Sequence, residues 1–247
     1  MTAKLSAEWR KLTTTRTFYW LLAGAAAVAA LGAFATTSSA LQPPWHLTTP
    51  LHDQMMWVLA TMNGAIFAII VGARTFTDEF RHSTIAHTYI ADPGRFGSTI
   101  AKAAAATLSG VVVGVVTIAA LVVVALLMAV GSGGEVAFHS SDLLPAVGLV
   151  GAMGLWAAIG AGFGAIVRNQ VAVVAIGLIW ILMLENLGSG LLEEAGRFLP
   201  GQTVHAMAQT PEAIDLLGVG PATLLMALYA AVLVAGGLVM IRRRDIS

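Results

Sequence analysis

Between Ala103 and Val130 the chain runs without one charged side chain. A helix of about 20 apolar residues spans the hydrocarbon core of a bilayer, so this stretch by itself commits the chain to a membrane. Five more stretches have the same character: 17–36, 54–73, 143–167, 171–184 and 221–241. Of the 247 residues, 57% are hydrophobic and 11% charged, against about 25% charged in an ordinary soluble domain. The alternating polarity of barrel strands is missing. The sequence therefore predicts an all-α polytopic membrane protein, a single transmembrane domain over 1–247 with six transmembrane helices at 17–36, 54–73, 103–130, 143–167, 171–184 and 221–241. The fifth is short. Its apolar character stops at Glu185 and returns weakly at Leu191 and Leu192, which predicts a helix running on into an irregular or re-entrant segment.

Orientation follows from Lys and Arg, which accumulate at cytoplasmic span ends. With the N-terminus inside, twelve of the 13 basic residues fall on the inner side and only Arg197 on the outer. The outer segments are acidic instead, with Asp53, Glu135, Asp142, Glu185, Glu193, Glu194, Glu212 and Asp215. The zero net charge thus conceals a polarity across the bilayer, and both termini are expected in the cytoplasm. The first apolar run, from Phe18, is already span-length and is expected to be retained, not cleaved as a signal peptide. With no cysteine, disulfides and thiol chemistry are excluded.

Ahead of the first span, Leu5, Trp9 and Leu12 share one helical face while Lys4, Glu8 and Lys11 occupy others. Residues 4–15 read as an interfacial helix, with Trp at headgroup depth and the basic residues towards anionic lipid, or more plainly as a charged leader. The Ala- and Gly-rich first span permits close helix packing. The loop after it carries Gln42-Pro43-Pro44-Trp45-His46 and Pro50, an interfacial turn. Asn63, inside the second span, requires a hydrogen-bond partner: it lines a pathway or makes an interhelical bond without a transport role.

The charged island 74–102 follows, RTFTDEFRHSTIAHTYIADPGRFGSTIAK. Thr75-x-x-Asp78 has the form of a helix N-cap, placing Asp78 and Glu79 at a positive helix end, and Asp92-Pro93-Gly94 is a stop. The pattern predicts a helix of about four turns between them and a second short helix from Arg95. A plain solvated connector needs no such length, so a docking surface is favoured. Further on, Gly110-x-x-x-Gly114 suits close packing, and Gly160-Ala-Gly162-Phe-Gly164 imitates a dinucleotide glycine pattern without its strand or acid; helix packing accounts for it better. Arg168-Asn169-Gln170 predicts a tight hairpin, and 185–220 mixes Gly, acid and apolar residues as broken helices dipping into the membrane would.

No constellation for catalysis emerges: neither a zinc-protease helix motif nor a nucleophile elbow is present. His46, His52, His139 and His205 are dispersed over the outer loops and read as polar surface groups, not a metal site; His82 and His87 read as helix-surface groups. Lys4, Lys11 and Lys102 are each followed by Leu or Ala, so no phosphate loop ends in Lys-Ser or Lys-Thr. Energy from ATP has to arrive from another subunit.

Glu79-Phe80-Arg81-x-x-Thr84-Ile85, then Pro93-x-Arg95 and Lys102, resembles the cytoplasmic connector of type-2 ATP-binding-cassette exporter permeases. Glu8-Trp9-x-Lys11-Leu12 with Arg16 is similar to that family's elbow helix, Phe198-Leu199-Pro200 to its outer segment and Arg243-Arg244-Asp245-Ile246 to its terminal signature. Ser83 departs from the family's common Gly. The resemblance implies a permease that pairs with a second copy or a sister permease in a bacterial plasma membrane and docks a separate ABC ATPase. That ATPase binds the ATP and magnesium; this chain holds no cofactor, and no nucleic-acid partner is expected. It implies a coupling helix from Asp78 to about Tyr89. Asp78, Glu79, Arg81 and Arg95 give polar registration there, Phe80 and Ile85 anchor, Thr84 belongs to the motif, and Glu79 is a surface charge. By the same resemblance Asn63, Phe67, Trp180 and Met183 line a path for an amphipathic or hydrophobic drug, antibiotic or lipid, gated by 185–220. A non-transporting membrane sensor or assembly module with the same architecture is the rival reading.

Overall fold

The computed structural model describes residues 2–40, 51, 55–191, 193–210 and 215–243. The Pro-rich turn at 42–46, Pro50, His52, Asp53, Leu192, Glu212 and the terminal Arg244-Asp245-Ile246 lie outside the described residues. Helix α1 (Thr2–Thr13) precedes α2 (Arg16–Ala40), α3 (Met55–Arg81), the short α4 (Ile85–Ala91), α5 (Phe96–Ser132) and α6 (Leu143–Val167). Then come α7 (Gln170–Ile179), a π-helical turn (Trp180–Leu184), α8 (Glu185–Leu191), α9 (Glu193–Gly196), α10 (Pro200–Met207) and α11 (Val219–Arg243).

Among the described residues, five helices are long and apolar enough to cross a membrane: those of the first, second, third, fourth and last expected spans. The stretch expected as the fifth is shorter, Gln170–Leu184. Its α-helical hydrogen bonding ends at Ile179, where the backbone widens into the π turn and passes without a break into α8. The fifth span of the predicted layout is therefore a composite helix, not a sixth long one alongside the other five.

Where α3 and α5 run past their apolar stretches, the structure departs from the expected connector. Helix α3 holds 27 residues, about 40 Å at ~1.5 Å per residue, more than the ~30 Å hydrocarbon thickness. It absorbs Arg74 through Arg81 as its last turns. Thr75 caps nothing: its hydroxyl donates back to the Gly72 carbonyl at 2.7 Å. Asp78 and Glu79 consequently sit at a helix C-terminus, not at the N-terminus the capping pattern suggested. Ser83 ends the run with φ of 56°, a left-handed conformation that non-glycine residues rarely take, and the family's common Gly would adopt it freely. The connector helix thus starts at Ile85 instead of Asp78. It stops at Ala91, before Asp92-Pro93-Gly94, as predicted. Arg95 is the next left-handed residue, φ 57°, and the helix after it is already α5; no separate short helix intervenes.

Helix α6 is the hub, packed on α3, α5 and α11. Lipid gives helices no hydrophobic drive to associate, so close approach through small residues matters. A Cβ added at Gly72 would lie 1.9 Å from the Ala157 carbonyl oxygen, one at Gly110 2.2 Å from that of Met153, and one at Gly160 2.4 Å from that of Ile69. Gly162 meets Leu233 on α11 in the same way. The glycines of 160–164 therefore serve helix packing. Gly72→Ala is expected to cost about 1–3 kcal/mol through overpacking and to lower the detergent melting temperature, whereas Gly151→Ala, whose Cβ meets only Met207 Cε at 3.8 Å, should leave it within a degree or two, as thermal unfolding of the two variants will show.

Candidate functional site

At the end of the bundle where α3 stops and α5 starts, four charged side chains from three helices meet. Lys102, on the second turn of α5, is 0% exposed. Its Nζ donates to Glu79 Oε1 at 2.5 Å and to Glu8 Oε2 at 2.8 Å. Lys11 on α1 donates to the same two carboxylates, reaching Glu79 Oε1 at 2.7 Å and Glu8 Oε1 at 2.8 Å. Thr88 on α4 completes the set by donating to Glu79 Oε2 at 3.0 Å. Two ammonium groups and two carboxylates alternate, so the cluster is neutral overall and each charge faces two of opposite sign. Lone charges in such surroundings would be costly. Burial disfavours the charged form of Lys11, but its hydrogen bonds to Glu79 and Glu8 and their negative charge outweigh this and raise its pKa. It stays an ammonium throughout the neutral range.

A second seam ties the connector to α11. Arg95 donates to the Ile241 carbonyl and stacks its guanidinium 5.0 Å from the Tyr89 ring centroid. Arg242 Nη2 donates to the Gly94 carbonyl at 3.3 Å. Asp92 Oδ2 accepts from the Ser98 amide at 2.5 Å and pairs with Lys4 at 3.2 Å; the amide bond, ahead of Lys4, holds this carboxyl below the usual range. Burial, reinforced by Glu79, pushes Tyr89 up to about 12, so it is neutral at physiological pH.

These contacts redistribute the expected site residues. Glu79 is not a surface charge but a buried member of the cluster. Asp78 turns aside to Arg74, with Oδ2 at 2.8 Å from Nη2. Ile85 is buried with Phe76, Tyr89 and Ile241, and Phe80 packs against them beneath Arg168, 4.7 Å from its ring. Neither projects outward as an anchor. The residues that do are Arg81, His82, Ser83, Thr84 and His87, together with Ile90, which is 78% exposed. Glu8 and Lys102 had been legible only as parts of separate motifs. The signal was strongest for Lys102, a charge at the edge of an otherwise apolar helix and so in need of a partner.

Two cavities open towards the opposite end. One of about 350 Å³ is apolar, lined by Ile69, Trp156, Phe163, Trp180, Tyr229 and Leu233 among others. The other, about 190 Å³, is bordered by Thr61, Trp156, Glu185, Gln202 and His205. Of the residues expected along a path, Trp180 lines the apolar cavity. Asn63 and Phe67 border neither, and Phe67 packs instead on α2 beside Gly24. Met183 faces outward. His205, expected as a surface group, is buried on α10, where its Nδ1 shares a hydrogen bond with Thr210 Oγ1 at 2.8 Å. Apolar neighbours Val204, Ala206 and Met207 pull it in with the helix.

The family described as ABC-2 family transporter protein matches residues 4–184, from α1 to the end of the π turn. No curated protein matches the sequence.

Removing Lys102 leaves two buried carboxylates sharing one ammonium. Lys102→Met should therefore cost about 3–5 kcal/mol, and Glu79→Arg, which adds a third cation to the cluster, should abolish the folded protein. In double-mutant cycles on melting in detergent, Lys102→Met combined with either Glu8→Gln or Glu79→Gln, which leaves one ammonium facing one carboxylate, should recover much of the loss; strictly additive losses would contradict the network.

Proposed function

Because the chain belongs to the ABC-2 transporter family, we propose that it is the membrane permease subunit of an ATP-driven exporter, powered by a separate ABC ATPase that docks on the connector between α3 and α5. The observation that carries this reading is the connector's construction. Its inner residues, Thr88, Ile85 and Tyr89, are fastened to the bundle, and its outer ones, Arg81, His87 and Ile90, offer two basic or polar groups around one exposed apolar side chain. A partner pressing on this face acts on α1, α3 and α5 together through the cluster. Such a surface lacks any phosphate-binding loop of its own, which fits a receiver of another subunit's ATP cycle, with nucleotide and magnesium held there.

In this reading the basic end lies in the cytoplasm of a plasma membrane, supported by the distribution of Lys and Arg. A second copy or a sister permease completes the unit. The cargo is amphipathic or hydrophobic, supported by the apolar cavity beside Trp156 and Trp180, and segment 185–220 lies where it would control release. The coupling role passes from Phe80 and Ile85 to Ile90 and its neighbours.

Copurification with the ATPase encoded beside it tests the proposal. The wild-type chain should retain the ATPase, and Ile90→Glu should weaken retention about tenfold, the loss of an interface anchor worth ~1.4 kcal/mol or more, at unchanged melting temperature. A wild-type chain that retains no ATPase overturns the reading. An ATPase that binds but is never stimulated by any amphiphile supports the sensor module instead.

A further inference from the structure

The smaller cavity carries an acid with half its hydrogen-bonding capacity unused. Glu185 begins α8, directly after the π turn, and is 6% exposed. Its Oε1 is well supplied: Trp180 Nε1 donates at 2.5 Å and the Gly201 amide at 2.8 Å. Among the described residues its buried Oε2 has no hydrogen-bond partner. Gln202, 7% exposed on α10, likewise has a buried side-chain oxygen without a partner among the described residues. Both residues border the same space of about 190 Å³. Among the described residues no Lys or Arg lines it, and its histidine, His205, is already engaged with Thr210. Leaving two buried acceptors unsatisfied costs on the order of 1–3 kcal/mol each, more for a charged group, so the cavity is shaped for something that brings hydrogen-bond donors and positive charge.

The neighbouring space defines what is attached to that charge. Trp156 lines both the polar and the apolar cavity, and Trp180 lines the apolar one while its indole N–H holds Glu185. A molecule with one polar end at Glu185 thus has its apolar remainder beside Trp156, Phe163 and Leu233. Charge-assisted hydrogen bonds from an ammonium to a carboxylate are among the stronger ones available, and aromatic faces nearby favour a cation further. A neutral alcohol satisfies one acceptor and neutralises nothing; an anion meets Glu185 head on.

We propose that Glu185 and Gln202 bind the protonated amine of an amphipathic molecule whose hydrocarbon part occupies the apolar cavity, which makes cationic amphiphiles the substrate class. This assignment of substrate rests on the exporter reading; the amine site itself does not.

The full chain in nanodiscs of zwitterionic lipid, titrated with decylamine and with decanol while indole fluorescence is followed, tests it. Decylamine is expected to give saturable binding at least about tenfold tighter than decanol, the worth of one charge-assisted hydrogen bond. Glu185→Gln, which keeps the acceptor for Trp180 and Gly201, should erase that preference, and Gln202→Met should reduce it, while Glu135→Gln, an exposed acid elsewhere, should not change it. Equal affinities for the amine and the alcohol, or a preference that survives in Glu185→Gln and Gln202→Met, overturn the site. If decylamine binds as expected but no ATPase associates with the chain, the amine site stands and the exporter reading falls. If the ATPase associates and the amine shows no preference, the exporter reading stands and the site falls.

Discussion

A fully buried ammonium constrains everything around it. Lys102 has no exposed surface, and its desolvation is tolerable only while Glu8 and Glu79 both stay within hydrogen-bond reach. Those residues lie on α1 and α3, so satisfying one side chain fixes three helices relative to one another. An apolar trio of the same volume would stabilise the junction as well or better, yet would accept slips of register that a four-charge cluster does not. Glu79 extends the constraint to α4 through Thr88. The connector is therefore held at one point by electrostatics and at another by the packing of Ile85 and Tyr89 on Phe76 and Ile241.

Further into the bundle, contact geometry takes over from charge. Glycines on α6 and on its neighbours, among them Gly72, Gly110, Gly160 and Gly162, let α3, α5 and α11 approach it to backbone contact. Helix α7 is held differently. Val173 is its one buried residue among those described, and the helix soon gives way to the π turn. Such widened turns frequently mark functional places in helices. Here the turn carries both Trp180, which faces the apolar cavity, and the bond from Trp180 to Glu185. Helix α6, approached to backbone contact by its neighbours, and the interrupted helix α7 thus line the same space.

How much of this the amino-acid sequence disclosed depends on the range of the interaction. The spans were legible because lipid acts on each residue locally, and the stop at Asp92-Pro93-Gly94 because a turn is a local event. The expected N-cap at Thr75 failed for a related reason: the same residues are compatible with a helix that has already been running for five turns, and only the length of α3 decides. The exposure of Glu79 was misjudged because its partners stand 68 and 23 residues away, and the pair Glu8 and Lys102 is separated by 94. No periodicity encodes such pairings. The cavity residues Glu185, Gln202 and His205 are likewise invisible as a set, since a re-entrant segment after Glu185 is legible from its composition, but which of its residues face Glu185 depends on how α10 folds back.

The charge cluster and the two cavities are joined by one uninterrupted element. Helix α3 borders the polar cavity at Thr61, the apolar cavity at Ile69 and the cluster at Glu79, with no break in its hydrogen bonding between them. A continuous helix does not absorb a displacement at one end; it carries it to the other. Its partner α6 is locked to it at Gly72, Gly160 and Gly164 by backbone contact, so the two move as a unit. Helix α7, which ends in the π turn, packs on α3 with Val174, Gly177 and Leu178 beside Ile66, Ile69 and Ile70. The wall that contains Trp180 and Glu185 therefore stands between the α3 and α6 pair, fixed by backbone contact, and α7, which is interrupted by the π turn.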